Sequence, residues 1–382
     1  MRRRGLRGSF WPTTRQQALI RVALGPVEQA VALWRGLQPI DVRSLEAGSF
    51  CLLPLLHERL SEVAPDDPQL PLLLGTYRNT WYRNQLLLER LAALLPGFRE
   101  RGVDPLIVGG AAIVGRWYSG LGSRPIPQLD LVVDPEAGAT AGETVVAGGW
   151  QPAGRARGRS RFTDDEGRTL VLHEGPPAPI AGPLDPAAAY RELRASAHEQ
   201  DVLAEPVLVL GPADELSFVC AMGARTVVPP SIQWLLDVAK ILGSPGRPVA
   251  EDVSARVSVL RLVEPVRDTL AYLAAMSAVA DIEEHLRALA AMPAHRRDRV
   301  AYSLAGAGAG RFAVVAGALS AHLRATADQP VASVIGGLPR HLGQRWGAES
   351  TAQVPAIALR KLLRLARPQR SPVPERNRSA SS

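Results

Sequence analysis

The chain has 382 residues, enough for two or three packed domains. Its 46% hydrophobic and 21% charged residues are those of an ordinary globular protein, and it holds no run of about 20 apolar residues that would span a membrane. Basic residues outnumber acidic ones by 44 to 37, for a net charge of +7, which makes nucleic acid a candidate partner, though not the favoured one.

The positive charge is almost all arginine, scattered over otherwise ordinary helical segments, and Lys240 and Lys361 are the only lysines. Denser clusters lie at the N-terminus, in "RKLLRLARPQRSPVPERNRSASS" and in "GRARGRSR" (154–161). The general basicity reads as composition. The internal cluster reads as a solvated loop or hairpin flank close enough to the central unit to meet triphosphate or RNA. Cys51 and Cys220 sit in apolar segments and read as reduced core thiols, and no Cys/His cluster has zinc spacing.

Residues 1–12 form a basic N-terminus expected to be disordered. "MRRRGLRGSFWPTTRQQ" starts like a signal peptide, but Arg21, Pro26 and Glu28 interrupt the following apolar stretch, so a cytoplasmic location is expected. Residues 13–100 read as a helical arm. Thr13-x-x-Gln16 has the capping-box pattern, and Pro26 suits the first turn of a second helix. Leu74, Tyr77, Trp81, Leu88, Leu91 and Leu95 fall near one stripe at helical period, which predicts a core-facing row.

The character changes at Gly102, where an α/β core over 101–212 begins. "PLIVGG" and "QLDLVV" read as short buried strands, and "AGATAGETVVAGGW" as a short returning helix. "SRFTDDEGRTLVLHE" reads as a hairpin turning at Asp165-Glu166-Gly167. "GPPAPIAGPLDP" reads as a Pro/Gly linker, and "PVLVLGPADELSFVCAMGAR" as a strand followed by a helix entered at Pro212. Residues 213–367 are expected to be a C-terminal helical region, with turns near Gly243-Ser244-Pro245, Pro293 and Gly306–Gly310. The Arg/Pro/Ser tail, 368–382, is expected to be disordered. There is no internal repeat. The fold class is therefore α+β: a small mixed sheet with flanking helices, between a helical arm and a helical bundle.

A strand, two glycines, a helix, a loop and then an acid-bearing strand is the layout of a nucleotidyltransferase palm. Glycines at a helix N-terminus let backbone N–H groups approach a triphosphate. Carboxylates at i and i+2 of a strand share a face and can hold Mg²⁺. Asp130 is such a carboxylate, and an unpaired one on an apolar strand tends to be functional; Arg124 nearby could simply pair with it.

Over residues 15 to about 290 the chain resembles the bacterial uncharacterised nucleotidyltransferase family, a branch of the DNA polymerase beta-like superfamily. The match runs through "FCLLPLLHERL", "LIVGGAAIVGRWY", "SRPIPQLDLVV", "TLVLHE", "VLGPADELSFVCAMGAR" and "IQWLLDVAKIL". The resemblance implies Gly109 and Gly110 as the phosphate-side turn and Arg124 as a nucleotide-binding arginine. It implies Asp130 as the metal-binding second aspartate of an Asp-x-Asp, His173 as the histidine of a later Asp-x-His, and Asp237 as a family aspartate. It further implies a nucleoside triphosphate as substrate, Mg²⁺ as cofactor, and an acceptor or partner among peptide, sugar, protein or RNA, in a setting such as peptide or polysaccharide biosynthesis.

The departures matter as much. Gln128 stands where the family has its first aspartate and Val171 where it has the later one. Ala221, Met222 and Arg225 occupy a segment where members usually carry histidines. With Gln128, Asp130 and His173 as the catalytic candidates, two of three metal carboxylates are missing. Glu174 faces the other way by strand alternation, and Asp134 lies beyond the strand end. Two readings follow: a transferase with impaired chemistry, or an inactive relative that binds a partner or intermediate.

Overall fold

The computed structural model describes residues 10–156, 158–182, 184–225, 232–279, 281–306, 313–346 and 350–357. Residues 1–9, Arg157, residues 307–310 of the glycine-rich turn and the 368–382 tail lie outside the described residues.

The chain is α+β. Seven strands form one sheet: β1 (Leu106–Val108), β2 (Leu129–Val133), β3 (Gln151–Ala156), β4 (Arg159–Thr163), β5 (Thr169–Glu174), β6 (His198–Val202) and β7 (Glu205–Val209). Their order is β3-β4-β5-β2-β1-β7-β6. The β1–β7 and β2–β5 pairs are parallel and the others antiparallel, so the sheet is mixed.

The central strands are apolar on both faces because helices cover both faces. All of β1 is buried, and on β2 only Asp130 is not. The edges are different. β3 is exposed along its whole length and β6 is exposed at Glu199 and Asp201, and their polar sequences, "QPAGRA" and "HEQDV", carry no strand signal. The hairpin expected at Asp165-Glu166-Gly167 joins β4 to β5. Asp164 closes it by accepting from the N–H groups of Glu166 and Arg168 at 3.1 and 2.8 Å.

The helix Gly138–Ala147 packs under β5 and β4 on the face away from Asp130. Glycine permits the approach: a Cβ at Gly138 would lie 2.7 Å from Glu174 Cγ. The "GPPAPIAGPLDP" segment is packed rather than a free linker. It contains a short helix, Ala178–Ala181, with Ile180 fully buried. Arg324 from a C-terminal helix ties it down, donating to the Pro179 carbonyl at 3.1 Å.

In the helical arm the Thr13–Gln16 capping box forms reciprocally, at 3.3 and 2.9 Å. Pro26 occupies the N-cap of the helix Val27–Leu37, one position earlier than expected. The long helix Leu70–Ala92 corrects half of the predicted stripe: Leu88 and Leu91 are buried, as is Leu95 just beyond it, whereas Leu74, Tyr77 and Trp81 are not. Its buried residues are Leu73, Thr80, Asn84, Leu87, Leu88 and Leu91, while Trp81 is 44% exposed. The aromatic residues drew the stripe to the wrong azimuth, because the buried face carries two polar side chains, Thr80 and Asn84.

One contiguous apolar core runs from Phe10 to Leu289. Phe10 and Trp11, inside the segment expected to be disordered, pack on rings from the opposite end of the chain. Phe10 lies 5.9 Å from Tyr302, and Trp11 lies 5.0 and 5.7 Å from Tyr272 and Trp234. Both cysteines are unpaired, and burial pushes each thiol up to about 12. No helix among the described residues is long and apolar enough to cross a membrane.

Candidate nucleotide site

β1 ends at Val108, and the backbone turns at Gly109 into the helix Gly110–Trp117. Gly109 has φ +68° and ψ −139°, a conformation that favours glycine. In the antiparallel register Val108 faces Asp130 on β2. The carboxylate therefore sits beside the turn, and a Cβ at Gly109 would lie 3.8 Å from Asp130 Oδ2. An aspartate there is favoured by the positive end of the helix dipole.

The three catalytic candidates converge. The Gln128 side-chain amide donates to both oxygens of Asp130, at 2.9 and 3.0 Å. His173 Nε2 lies 3.0 Å from Asp130 Oδ1, with the carboxylate 21% and the imidazole 7% exposed. On β5, Val171 is the residue paired with Asp130, where the family pattern has an acid. Glu174 points to the opposite face and is held by Arg155 at 2.9 Å. Asp134 is turned away, accepting from the Glu136 N–H at 2.9 Å. Ala221 and Met222 end a helix whose residues from Ala213 to Ala221 are buried, so they bring no ligand to this cluster.

These donors do not fit a pair of divalent ions. Both Asp130 oxygens accept from Gln128 and Oδ1 also lies 3.0 Å from His173, so a metal would have to share this one carboxylate with groups of the protein. An amide also supplies no charge to offset the dehydration of Mg²⁺. Among the described residues, no group of three His, Cys, Asp or Glu side chains is placed to hold a metal.

Arg124 lies close by, with its guanidinium engaged within the protein. Its Nε and Nη2 donate to the two oxygens of Asp237, each at 2.8 Å, and Nη1 donates to the Pro125 carbonyl at 2.9 Å. The pair is buried, at 9% and 3% exposure. Burial opposes the guanidinium charge, but the Asp237 carboxylate more than offsets it and holds Arg124 above its ordinary value. The alternative pairing with Asp130 is not made. Tyr118 also donates to Asp237, at 2.8 Å, and burial together with that neighbouring charge raises its phenol well above the usual range. Gly110 is required here for room: a Cβ would fall 2.5 Å from Arg124 Nη1.

Asn84, from the buried face of the long helix, fastens the same loop. Its amide donates to the carbonyls of Leu121 and Arg124, each at 2.7 Å, and its oxygen accepts from the Ile126 N–H at 2.9 Å. Glu58 holds Ser123 and also lies 3.6 Å from Lys240. Asn84 carries no motif, whereas Glu58 lies within "FCLLPLLHERL" but is not singled out there. The signal for Asn84 is a polar residue at a position that helical period buries.

Behind the turn, Glu215 is 2% exposed and accepts from the Trp117 indole at 2.6 Å. Burial pushes its carboxyl up to about 7. Arg116, next to Trp117, lies 2.8 Å from His198 Nε2 and stacks over the Trp117 ring at 4.4 Å.

A mixed sheet, a Gly-Gly turn opening a helix, and an aspartate on the adjoining strand define a protein of the nucleotidyltransferase class. The chain belongs to the uncharacterised nucleotidyltransferase family, whose model matches residues 51–278 and so takes in every residue of this site. Among solved structures, the chain is similar to an antigenic nucleotidyltransferase-like protein from Paracoccidioides brasiliensis. The identity is 13% and the TM-score 0.32, over 50% of this chain and 93% of that one. No curated protein matches.

Proposed function

We propose that this chain is a nucleotide-binding member of its family in which conventional two-metal nucleotidyl transfer is impaired. The observation that supports this reading is the capture of Asp130 by Gln128 and His173. In a transferase site that carboxylate would face a cation, whereas here it accepts hydrogen bonds from the Gln128 amide and lies beside His173. Each charged partner removed from a preorganised site costs orders of magnitude in rate. The turn at Gly109 and Gly110 keeps the shape that admits phosphate. The acceptor belongs to the peptide, sugar, protein or RNA classes open to such chemistry.

Calorimetric titration of ATP, GTP, CTP and UTP, in EDTA and then in Mg²⁺, tests the reading. At least one nucleotide binds in both conditions, and Gln128→Asp combined with Val171→Asp makes binding or transfer depend on Mg²⁺. Failure of all four to bind the folded protein in either condition would overturn it.

A further inference from the structure

We propose that Arg159 and Arg161 form a metal-independent oligophosphate-binding row on the sheet face that carries Asp130; the inference rests on the nucleotide reading above. The register places them there. Arg161 on β4 is paired with Val171 on β5, which is itself paired with Asp130 on β2. Arg159 is paired with His173, which is paired with Val132. Paired residues of neighbouring strands project to the same face. Both arginines therefore flank the Val171–His173 edge of the cluster. Two strand spacings, about 10 Å, separate Arg161 from Asp130. Such a distance suits a chain of phosphates better than a single one.

Their chemistry is that of unused cations. Both are exposed, and among the described residues neither side chain makes a hydrogen bond or ion pair. The contrast is with Arg90, Arg124, Arg155, Arg168, Arg256, Arg261 and Arg324, each of which has a carboxylate partner. The acid that could have neutralised this hairpin, Glu174, faces the other side and is held by Arg155. The neighbouring edge strand adds no bulk beside the row. Gly154 on β3 is paired with Arg161, and a Cβ there would meet nothing within 4 Å.

The two substitutions in the metal site take on a joint meaning. Replacing two carboxylates by Gln128 and Val171 removes the charge that would recruit divalent cations. It also removes the charge that would repel an anion arriving without them. The guanidinium forks then supply the positive charge, with geometry matched to phosphate oxygens.

The test titrates ATP and inorganic tripolyphosphate, in EDTA, into the full-length protein and the Arg159→Gln/Arg161→Gln variant. Arg155→Gln, on the opposite face, is the control, and circular dichroism verifies folding. The wild type and the control bind both ligands with affinity that falls as salt rises. The double variant binds about 100-fold more weakly, roughly tenfold for each charge-assisted hydrogen bond removed. Equal affinity in the double variant, or wild-type binding only when Mg²⁺ is added, overturns the inference while leaving nucleotide binding in place. Binding of neither ligand by the wild type, in EDTA or in Mg²⁺, overturns both. Unchanged tripolyphosphate affinity with abolished binding of a single-stranded RNA oligonucleotide would overturn it in favour of a nucleic-acid interface.

Discussion

Removing Asp237 from beneath Arg124 should destabilise the fold far more than removing both partners. Asp237→Ala strands a guanidinium that is 9% exposed and that keeps only its bond to the Pro125 carbonyl. It also leaves the Tyr118 hydroxyl without its 2.8 Å acceptor. Breaking one side of a buried pair typically destabilises by about 3–5 kcal/mol, and the bidentate geometry places this pair in that range. Replacing both partners by apolar groups of similar bulk, Arg124→Met with Asp237→Leu, removes the uncompensated charge. It should recover most of the stability, to within about 2 kcal/mol of the wild type. Urea unfolding of the wild type, Arg124→Met, Asp237→Leu and the double variant, followed by tryptophan fluorescence and circular dichroism, gives the four stabilities of the cycle. The coupling between the sites should exceed about 2 kcal/mol. Additive single effects, or an Asp237→Ala variant within about 1 kcal/mol of the wild type, would refute the buried-pair reasoning and return Arg124 to the role of a free ligand-binding arginine.

Two more outcomes follow from the same geometry. Glu215 has a folded value of about 7 against an ordinary 4.5, so the folded state holds the extra proton between those values. Its protonated form therefore favours folding below pH 4.5, and stability declines as pH rises toward about 7, by up to roughly 3 kcal/mol. Glu215→Gln should flatten that decline in denaturant titrations run from pH 4.5 to about 8, and an unchanged pH slope would contradict the assignment. Asn84→Ala removes three bonds to the loop backbone and should destabilise by about 2–4 kcal/mol, as expected for buried backbone groups left unpaired. Hydrogen exchange at Ile126 should speed up in that variant, and full protection there would show that the loop is held by something else.

The class of fold was legible because the central strands announce themselves. "LIV" and "LDLVV" are short apolar runs bounded by glycine and proline, and their burial on both faces leaves no room for another reading. β3 and β6 were illegible for the opposite reason. An edge strand bonded on one side needs no apolar pattern, so "QPAGRA" and "HEQDV" look like loops until a neighbour pairs with them. The arginine cluster 154–161 thus reads in sequence as a charge feature, although its periodicity also places Arg159 and Arg161 on one face of β4.

At the site, Gln128, Asp130, His173, Gly109 and Gly110 do come together, because strand alternation and the Gly-Gly turn are local consequences of sequence. What sequence could not reveal is the partnership of Arg124, whose carboxylate lies 113 positions away on another element. Asn84 was hidden by its aromatic neighbours Trp81 and Tyr82, which dominate a hydrophobic count yet face outward.

Phe10 and Trp11 sit against Trp234, Tyr272 and Tyr302, so residues near the start of the chain find their neighbours among the late ones. During synthesis the arm's first helix can form locally but cannot dock fully until Tyr302 has left the ribosome. Until those rings emerge, Phe10 and Trp11 lack their aromatic partners. A nascent chain of this kind is exposed to chaperones throughout its elongation, and its final closure is a late, long-range event.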